Sequence, residues 1–295
     1  MALPLESVPN FSEGRDPAAI AALERSLSQP GRLLDIHTDW DHHRSVFTIV
    51  GPGDDLVETL VAGISTAAER IDLRRHGGAH PRIGAADVVP LVPLVPEDEP
   101  AARAAALALA ERVADDLGLP VFFYGRLTED RREPAFFRRG GPDELQRRID
   151  SEEIAPDRGP ATLHPSAGGV LIGVRRPLIA FNVNLRGATV ETAREIAALV
   201  RERDGGFPGV RALGLDLPKA GLVQVSMNGT DWEAAALHTI LAAIVAEAET
   251  RGAEVAGSEL VGLMPAGAAV EAAGNLLRIE GFDAGHVLEL RLLDD

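Results

Sequence analysis

Residues 87–124 of the chain, DVVPLVPLVPEDEPAARAAALALAERVADDLGLPVFFY, combine signals for a strand, a helix and a second strand. The prolines in and just after the apolar run 87–95 exclude a helix there, so this run is predicted to be extended. The acidic turn that follows suits a helix start, and residues 101–117 are predicted to form an amphipathic helix. Residues 121–124 then predict the second strand.

The same rhythm extends in both directions along the chain. Many of the predicted strands follow one another too closely for a helical crossover, which favours antiparallel or mixed sheets. We therefore predict an α+β fold with helices on one face of each sheet. The further strands are predicted at 33–36, 45–50, 170–174, 178–183, 222–227, 254–261 and 286–292, and the further helices at 56–69, 190–201 and 231–251.

A stretch rich in proline and glycine, residues 155–170, interrupts this pattern near the middle of the 295-residue chain. The length is sufficient for two domains. We place the boundary inside this stretch and predict an N-terminal subdomain over 1–165 and a C-terminal subdomain over 166–295. A cleft between two such halves is a common place for a ligand.

Composition excludes several classes of function. The chain has no cysteine, which rules out disulfides, thiolate metal sites and a cysteine nucleophile. Its formal charge of −16 disfavours nucleic acid and anionic membranes as partners. Lys219 is the only lysine available for a Schiff base, and neither a targeting segment nor a membrane-spanning segment is predicted. These features favour a soluble, acidic, cytoplasmic protein.

The segment 74–87, RRHGGAHPRIGAAD, holds the sharpest cluster of reactive side chains. His76 and His80 have a spacing that would suit zinc on a helix, but two glycines and a proline argue against a helix here. A functional loop fits better, because histidine passes protons near neutral pH and arginines bind carboxylates. An exposed polar turn remains the alternative.

Two shorter polar clusters are weaker candidates. Residues 39–44, DWDHHR, could ligate a cation, although such spacings are common in loops. Residues 8–15 indicate a strand end and a polar turn, in which Asn10, Ser12 or Glu13 could face a cleft; Ser12 could instead cap a helix. No metal site is predicted.

Several blocks together resemble the glutamate formimidoyltransferase family, in the same order along nearly the whole chain. The blocks are 8–15 (VPNFSEGR), 71–84 (IDLRRHGGAHPRIG), 87–90 (DVVP), 181–185 (FNVNL), 224–228 (QVSMN) and 257–265 (GSELVGLMP). The resemblance implies a homodimeric transferase of two α/β-sandwich subdomains, whose sheets face each other across a ligand tunnel. It is closest to the short form without a cyclodeaminase domain.

The resemblance also implies a reaction. The formimidoyl group of N-formimidoyl-L-glutamate moves to N5 of tetrahydrofolate, the co-substrate, in the degradation of histidine and in one-carbon metabolism. No metal is needed. His80 lies in the segment that resembles the family's G-x-H-P-R motif, and it takes the catalytic role by that match.

The implied folate loop is a run of ten residues. It comprises Gly159, Pro160, Ala161, Thr162, Leu163, His164, Pro165, Ser166, Ala167 and Gly168. Both co-substrates are anionic while the chain is acidic, so arginines must make the site locally positive. Arg44, Arg74, Arg75 and Arg82 are the candidates for this role, and Asn10, Arg44 and Arg82 are the candidates for binding the substrate.

The chain departs from the family pattern at three positions. Ala79 precedes His80 where many members have glutamate, His43 precedes Arg44 where many have asparagine, and Arg158 stands where an aromatic residue is frequent. An active transferase is the leading hypothesis. A catalytically weakened folate-binding paralogue, or another one-carbon or amidine transferase on the same scaffold, is the alternative.

Overall fold

The structure is a computed structural model that describes residues 4–293. Within this range the chain divides into two compact units between Arg176 and Pro177. The division lies beyond the 165/166 boundary expected from the sequence, because residues 170–174 form a strand of the first unit's sheet. No helix among the described residues has the length and apolar character that a membrane crossing requires.

The first unit contains a mixed sheet and five α-helices in its described part. Its strands are β1 (Leu5–Ser7), β2 (Asn10–Phe11), β3 (Arg32–Asp39), β4 (Arg44–Gly51), β5 (Ala86–Val92), β6 (Val121–Gly125) and β7 (Val170–Val174). Its helices are α1 (Pro17–Ser26), α2 (Gly53–Arg70), α3 (Glu99–Leu117), α4 (Pro134–Arg138) and α5 (Gly141–Asp150). The strand order is β1-β4-β2-β5-β7-β6, with β3 paired to β4.

The two halves of this sheet differ in strand direction. The strands β1 to β4 pair in antiparallel fashion, while β5, β7 and β6 run parallel to one another. The parallel strands alternate between two hydrophobic clusters: Val89, for example, packs with α2 and α3, and its neighbour Val88 packs with α4 and α5. The prediction of helices on one face is therefore wrong for these strands, which need cover on both faces.

The second unit is an antiparallel sheet with its hydrophobic core against helices. Its elements are β8 (Ile179–Arg186), α6 (Val190–Val200), β9 (Val210–Leu217), β10 (Leu222–Gly229), α7 (Leu237–Thr250), β11 (Glu254–Val261), α8 (Ala266–Leu277) and α9 (Leu288–Leu293). The strand order is β11-β8-β10-β9. Alternate residues of β8 and β10 enter the core with α6 and α7. The predicted α+β class, with mixed and antiparallel sheets, is confirmed.

Three local predictions are wrong. The helix predicted from 231 begins only at Leu237, because residues 231–236 form turns. The strand predicted over 286–292 is helical from Leu288, and leucine, which makes its apolar pattern, is a good helix former. Ser12 does not cap α1; the N-cap is Asp16, whose side chain accepts a hydrogen bond from the backbone N–H of Ala18.

Candidate functional site

The segment 76–82, which carries His80, is an irregular loop between a short 3₁₀ turn at Leu73–Arg75 and β5. The largely buried side chain of Arg82 is one of the groups that hold it. Its guanidinium donates to the carbonyls of His42, His43 and His80 and contacts Nε2 of His76. These contacts use all five N–H groups of a guanidinium. Arg82, one of the candidates for substrate binding, thus ties the loop to the turn between β3 and β4.

Two groups lie within hydrogen-bond distance of Nδ1 of His80, and the tautomer decides which of them the ring bonds to. Nδ1 is 3.0 Å from Nη1 of Arg44 and 2.8 Å from the carbonyl oxygen of Pro81. Burial, followed by the charges of Arg44 and Arg138, lowers the pKa of His80 well below 6.5. The ring is therefore neutral at pH 7, and a proton on Nδ1 that bonds to Pro81 leaves Nε2 as a base.

The buried carboxylate of Asp87, near the start of β5, connects three parts of the first unit. Its Oδ2 accepts hydrogen bonds from Arg44 at 3.0 Å and from Arg138, the last residue of α4. Its Oδ1 accepts from the backbone N–H of Ile83 at 2.8 Å. Burial alone would raise the pKa of Asp87, but the two guanidiniums and this N–H lower it, so the carboxylate is ionised.

Asn10 and Arg44 lie on the paired strands β2 and β4, and the structure brings them together with His80. Nε of Arg44 donates to Oδ1 of Asn10 at 2.9 Å, while Nδ2 of Asn10 donates to the carbonyl of Val8. Burial lowers the pKa of Arg44 to about 9 even though Asp87 opposes the shift, and the side chain keeps its charge at pH 7. Asn10 therefore helps to hold the guanidinium of Arg44 beside His80.

His43, in the turn before β4, contacts the same loop from its other side. Its ring stacks on that of His76 with centroids 3.8 Å apart. Its Nε2 lies 3.0 Å from Oε1 of Glu13, an oxygen that also accepts three backbone N–H groups from residues 14–16. Burial, then the charge of Arg82, lowers the pKa of His76 to about 4, so His76 is neutral at pH 7.

The 159–168 segment is hydrogen-bonded to residues that flank the His80 loop on both sides. The backbone N–H of Leu73 donates to the carbonyl of Ser166 at 2.8 Å, and that of Ala85 donates to the carbonyl of Ala167 at 2.8 Å. Residues 159–162 are exposed, while Ala167 and Gly168 are buried. The two segments that the sequence singled out are therefore neighbours within the first unit.

Metal ligands do not gather here in the described part of the chain. Among residues 4–293, no group of three or more His, Asp or Glu side chains is placed to hold a metal ion. In the second polar cluster, His43 is engaged with Glu13 and His76, and the backbone N–H of His42 donates to the carboxylate of Asp39.

Arg138 is the residue that the sequence analysis missed. The stretch around it is rich in both arginine and acidic residues, which indicates a solvated face. In the structure Arg138 reaches the carboxylate of Asp87, 51 positions away in the chain. The only local signal was its position after the apolar pair Phe136 and Phe137, of which Phe137 is fully buried and anchors α4.

Comparison with known proteins gives matches over both units. Residues 4–175 match the family described as the formiminotransferase domain, N-terminal subdomain, and residues 180–283 match the formiminotransferase domain. The glutamate formimidoyltransferase of Streptococcus pyogenes serotype M1 is 38% identical, over 99% of this chain and 100% of its own length. That of Thermoplasma acidophilum is 37% identical, over 98% and 97%.

Bifunctional proteins also match. The formimidoyltransferase-cyclodeaminase of Sus scrofa is 40% identical over 91% of this chain, and the match covers 51% of that longer protein. The similarity to the two shorter enzymes, in contrast, extends over nearly all of both sequences.

Proposed function

The chain belongs to the formiminotransferase family and is a formimidoyl-transferring enzyme, and we propose that His80 moves the protons of the reaction. The group passes from N-formimidoyl-L-glutamate to N5 of tetrahydrofolate, giving 5-formimidoyltetrahydrofolate and L-glutamate. This role of His80 is supported by its neutral ring, whose Nδ1 lies near Arg44 and the carbonyl of Pro81. The residues that flank its loop are hydrogen-bonded to the 159–168 segment.

The proton on N5 must leave, and the glutamate nitrogen must gain one. With its Nδ1 proton on the carbonyl of Pro81, His80 accepts the N5 proton at Nε2 as N5 forms a bond to the amidine carbon. The tetrahedral intermediate then breaks its carbon–nitrogen bond to glutamate, and Nε2 returns the proton to that nitrogen. The low pKa of His80 makes its imidazolium form a strong acid for this second step.

The side chains around His80 have separate tasks in this proposal. Arg82 fixes the loop, since all its donors are used inside the protein, and Asn10 orients Arg44. The charge of Arg44 adds to the effect of burial in keeping His80 neutral, and Arg44 faces the anionic substrate. None of these steps requires a metal.

We propose that the 159–168 segment forms one wall of the folate site. Its residues 159–162 are exposed, and its residues 166 and 167 accept hydrogen bonds from Leu73 and Ala85, which flank the His80 loop; both observations support the proposal. A bound folate should protect their amides from exchange with solvent. Hydrogen exchange with and without a non-reactive folate analogue tests this; protection of the His80 loop without protection of 159–168 would place the folate elsewhere.

The resemblance further supports a cytoplasmic homodimer that acts in histidine breakdown. Light scattering of the purified chain tests the dimer. These proposals are independent of the assignment of His80.

The direct test of function is transfer by the purified full chain. Formimidoylglutamate and tetrahydrofolate are supplied together, and the two products are measured with and without a chelator. We expect turnover that needs both substrates and is unchanged by the chelator. Folate binding without turnover would instead support the weakened paralogue, and activity lost with a bound metal would overturn the metal-free mechanism.

A further inference from the structure

The charges around Asp87 do not balance. Two guanidiniums, those of Arg44 and Arg138, share one oxygen of a single buried carboxylate. The pair and its carboxylate therefore carry one net positive charge, and Arg82, another cation, lies close enough to act on Arg44. A buried charge without a counter-ion is costly, so this arrangement favours an anion next to the arginines.

Unused donors accompany the unbalanced charge. Nε of Arg138 is buried and has no hydrogen-bond partner among the described residues. Arg44 donates from Nε to Asn10 and from Nη1 to Asp87, and Nδ1 of His80, which lies 3.0 Å from Nη1, accepts nothing from it while its proton is on the Pro81 carbonyl. All five N–H groups of Arg82 are engaged, whereas Arg44 and Arg138 keep donors for a ligand. A buried donor without a partner costs free energy that a bound acceptor recovers.

The chemistry of the donor substrate supplies an anion at this place. In N-formimidoyl-L-glutamate, the nitrogen that leaves is bonded to the α-carbon, which also bears the α-carboxylate. Whenever His80 reaches that nitrogen, the α-carboxylate lies only two bonds further on. Arg44 contacts the ring of His80, and Arg138 shares an acceptor oxygen with Arg44. Arg44 and Arg138 therefore lie next to the position that the α-carboxylate of the donor must occupy.

We propose that Arg138, together with Arg44, binds the α-carboxylate of the formimidoyl donor. The inference rests on the proposed function and deepens it, because it assigns one substrate group to one residue pair. It predicts that the enzyme selects amidines derived from α-amino acids. The side-chain carboxylate of the donor has no part in it.

The test pairs a protein change with a substrate change. Arg138→Gln removes the charge, and N-formimidoyl-4-aminobutyrate lacks the α-carboxylate but keeps the other one. Arg139→Gln is the matched control, because Arg139 is the next residue, is 69% exposed and pairs only weakly with Glu153. We expect Arg138→Gln to raise KM for formimidoylglutamate by about 10–100-fold, as for lost hydrogen bonds between charged groups. KM for the analogue and for tetrahydrofolate should change little.

Two outcomes would overturn the proposal. If Arg138→Gln lowers kcat equally with both donors and leaves KM unchanged, Arg138 acts through His80 or the fold. If it raises KM for tetrahydrofolate instead, the bound anion belongs to the folate. If Arg138→Gln fails to fold, two other measurements test the proposal. The wild-type enzyme must bind formimidoylglutamate far more tightly than the analogue, and Arg138→Lys must retain part of that preference. Equal KM values for the two donors in the wild type would refute the proposal.

A binding measurement separates this inference from the proposed function. L-glutamate is compared with 4-aminobutyrate as a ligand that raises the melting temperature, which needs no turnover. We expect L-glutamate alone to stabilise the wild type, and Arg138→Gln to abolish the shift while Arg139→Gln retains it. If wild type shows no transfer yet this pattern appears, the proposed function fails and the carboxylate site stands; equal stabilisation by both ligands refutes the site.

Discussion

Two glycine- and proline-containing segments, 76–82 and 159–168, look alike in sequence but are held in different ways. The first is held largely by side chains: Arg82 bonds to three carbonyls and a histidine ring, and His43 contacts Gly77 and stacks on His76. The second is held mainly by backbone hydrogen bonds, such as those between His164 and Gly168 and from Leu73 to Ser166. The first segment should therefore be sensitive to side chains, and the second to backbone geometry.

The largest expected difference between the segments concerns their histidines. His80→Ala should lower turnover by about 10²–10⁴-fold, the usual contribution of a general acid–base group, while folate binding persists. His164→Ala is the matched change in the second segment, where Nδ1 accepts the backbone N–H of Ala167 at 3.1 Å. It should cost about 1 kcal/mol of stability and leave kcat within a few-fold. Steady-state kinetics and urea unfolding of both variants test these expectations. Near-normal turnover of His80→Ala would show that His80 is not part of the mechanism.

Arg82→Lys should give the next largest effect. Lysine offers three donors at one point and cannot reach the carbonyls of residues 42, 43 and 80 together. The loop would then shift, and a displacement of about 1 Å lowers turnover by about 10²-fold. Arg74→Gln is the control, because Arg74 is 66% exposed and, among residues 4–293, pairs only with Asp72. An Arg82→Lys enzyme with normal kcat and raised KM for formimidoylglutamate would show that Arg82 binds substrate.

Arg82 also shows what could be predicted from the sequence. Its place beside His80 was visible, because both lie in one short motif, and so were most strands and helices, whose apolar periods are local. The ion cluster of Arg44, Asp87 and Arg138 was not visible, because its members come from three separate elements and meet only through folding. The helix at 288–293 was predicted as a strand because its local pattern is ambiguous: alternating leucines suit a strand or a short helix equally.

A pair of glycine substitutions tests the backbone side of the comparison. Gly168 has φ +70°, and a Cβ there would lie 2.0 Å from the carbonyl oxygen of Ile83. Gly168→Ala should therefore cost about 1–3 kcal/mol of unfolding free energy. Gly77, in the His80 loop, has nothing within 4 Å of an added Cβ. Gly77→Ala should stay within about 0.5 kcal/mol of wild type. Equal losses in urea unfolding would contradict the distinction between the two segments.

The pH dependence of the reaction gives the smallest expected change near neutral pH, and its sign follows from the environment of His80. Burial and the charges of Arg44 and Arg138 lower its pKa well below 6.5, so the base form already predominates near neutral pH. We expect kcat/KM to be constant from about pH 6 to 8 and to fall, approaching tenfold per pH unit, only in more acidic solution. Activity regained on return to pH 7.5 separates this titration from unfolding. An acid limb centred between pH 6 and 7 would mean that His80 titrates as in water, and that neither burial nor the arginines beside it set its charge.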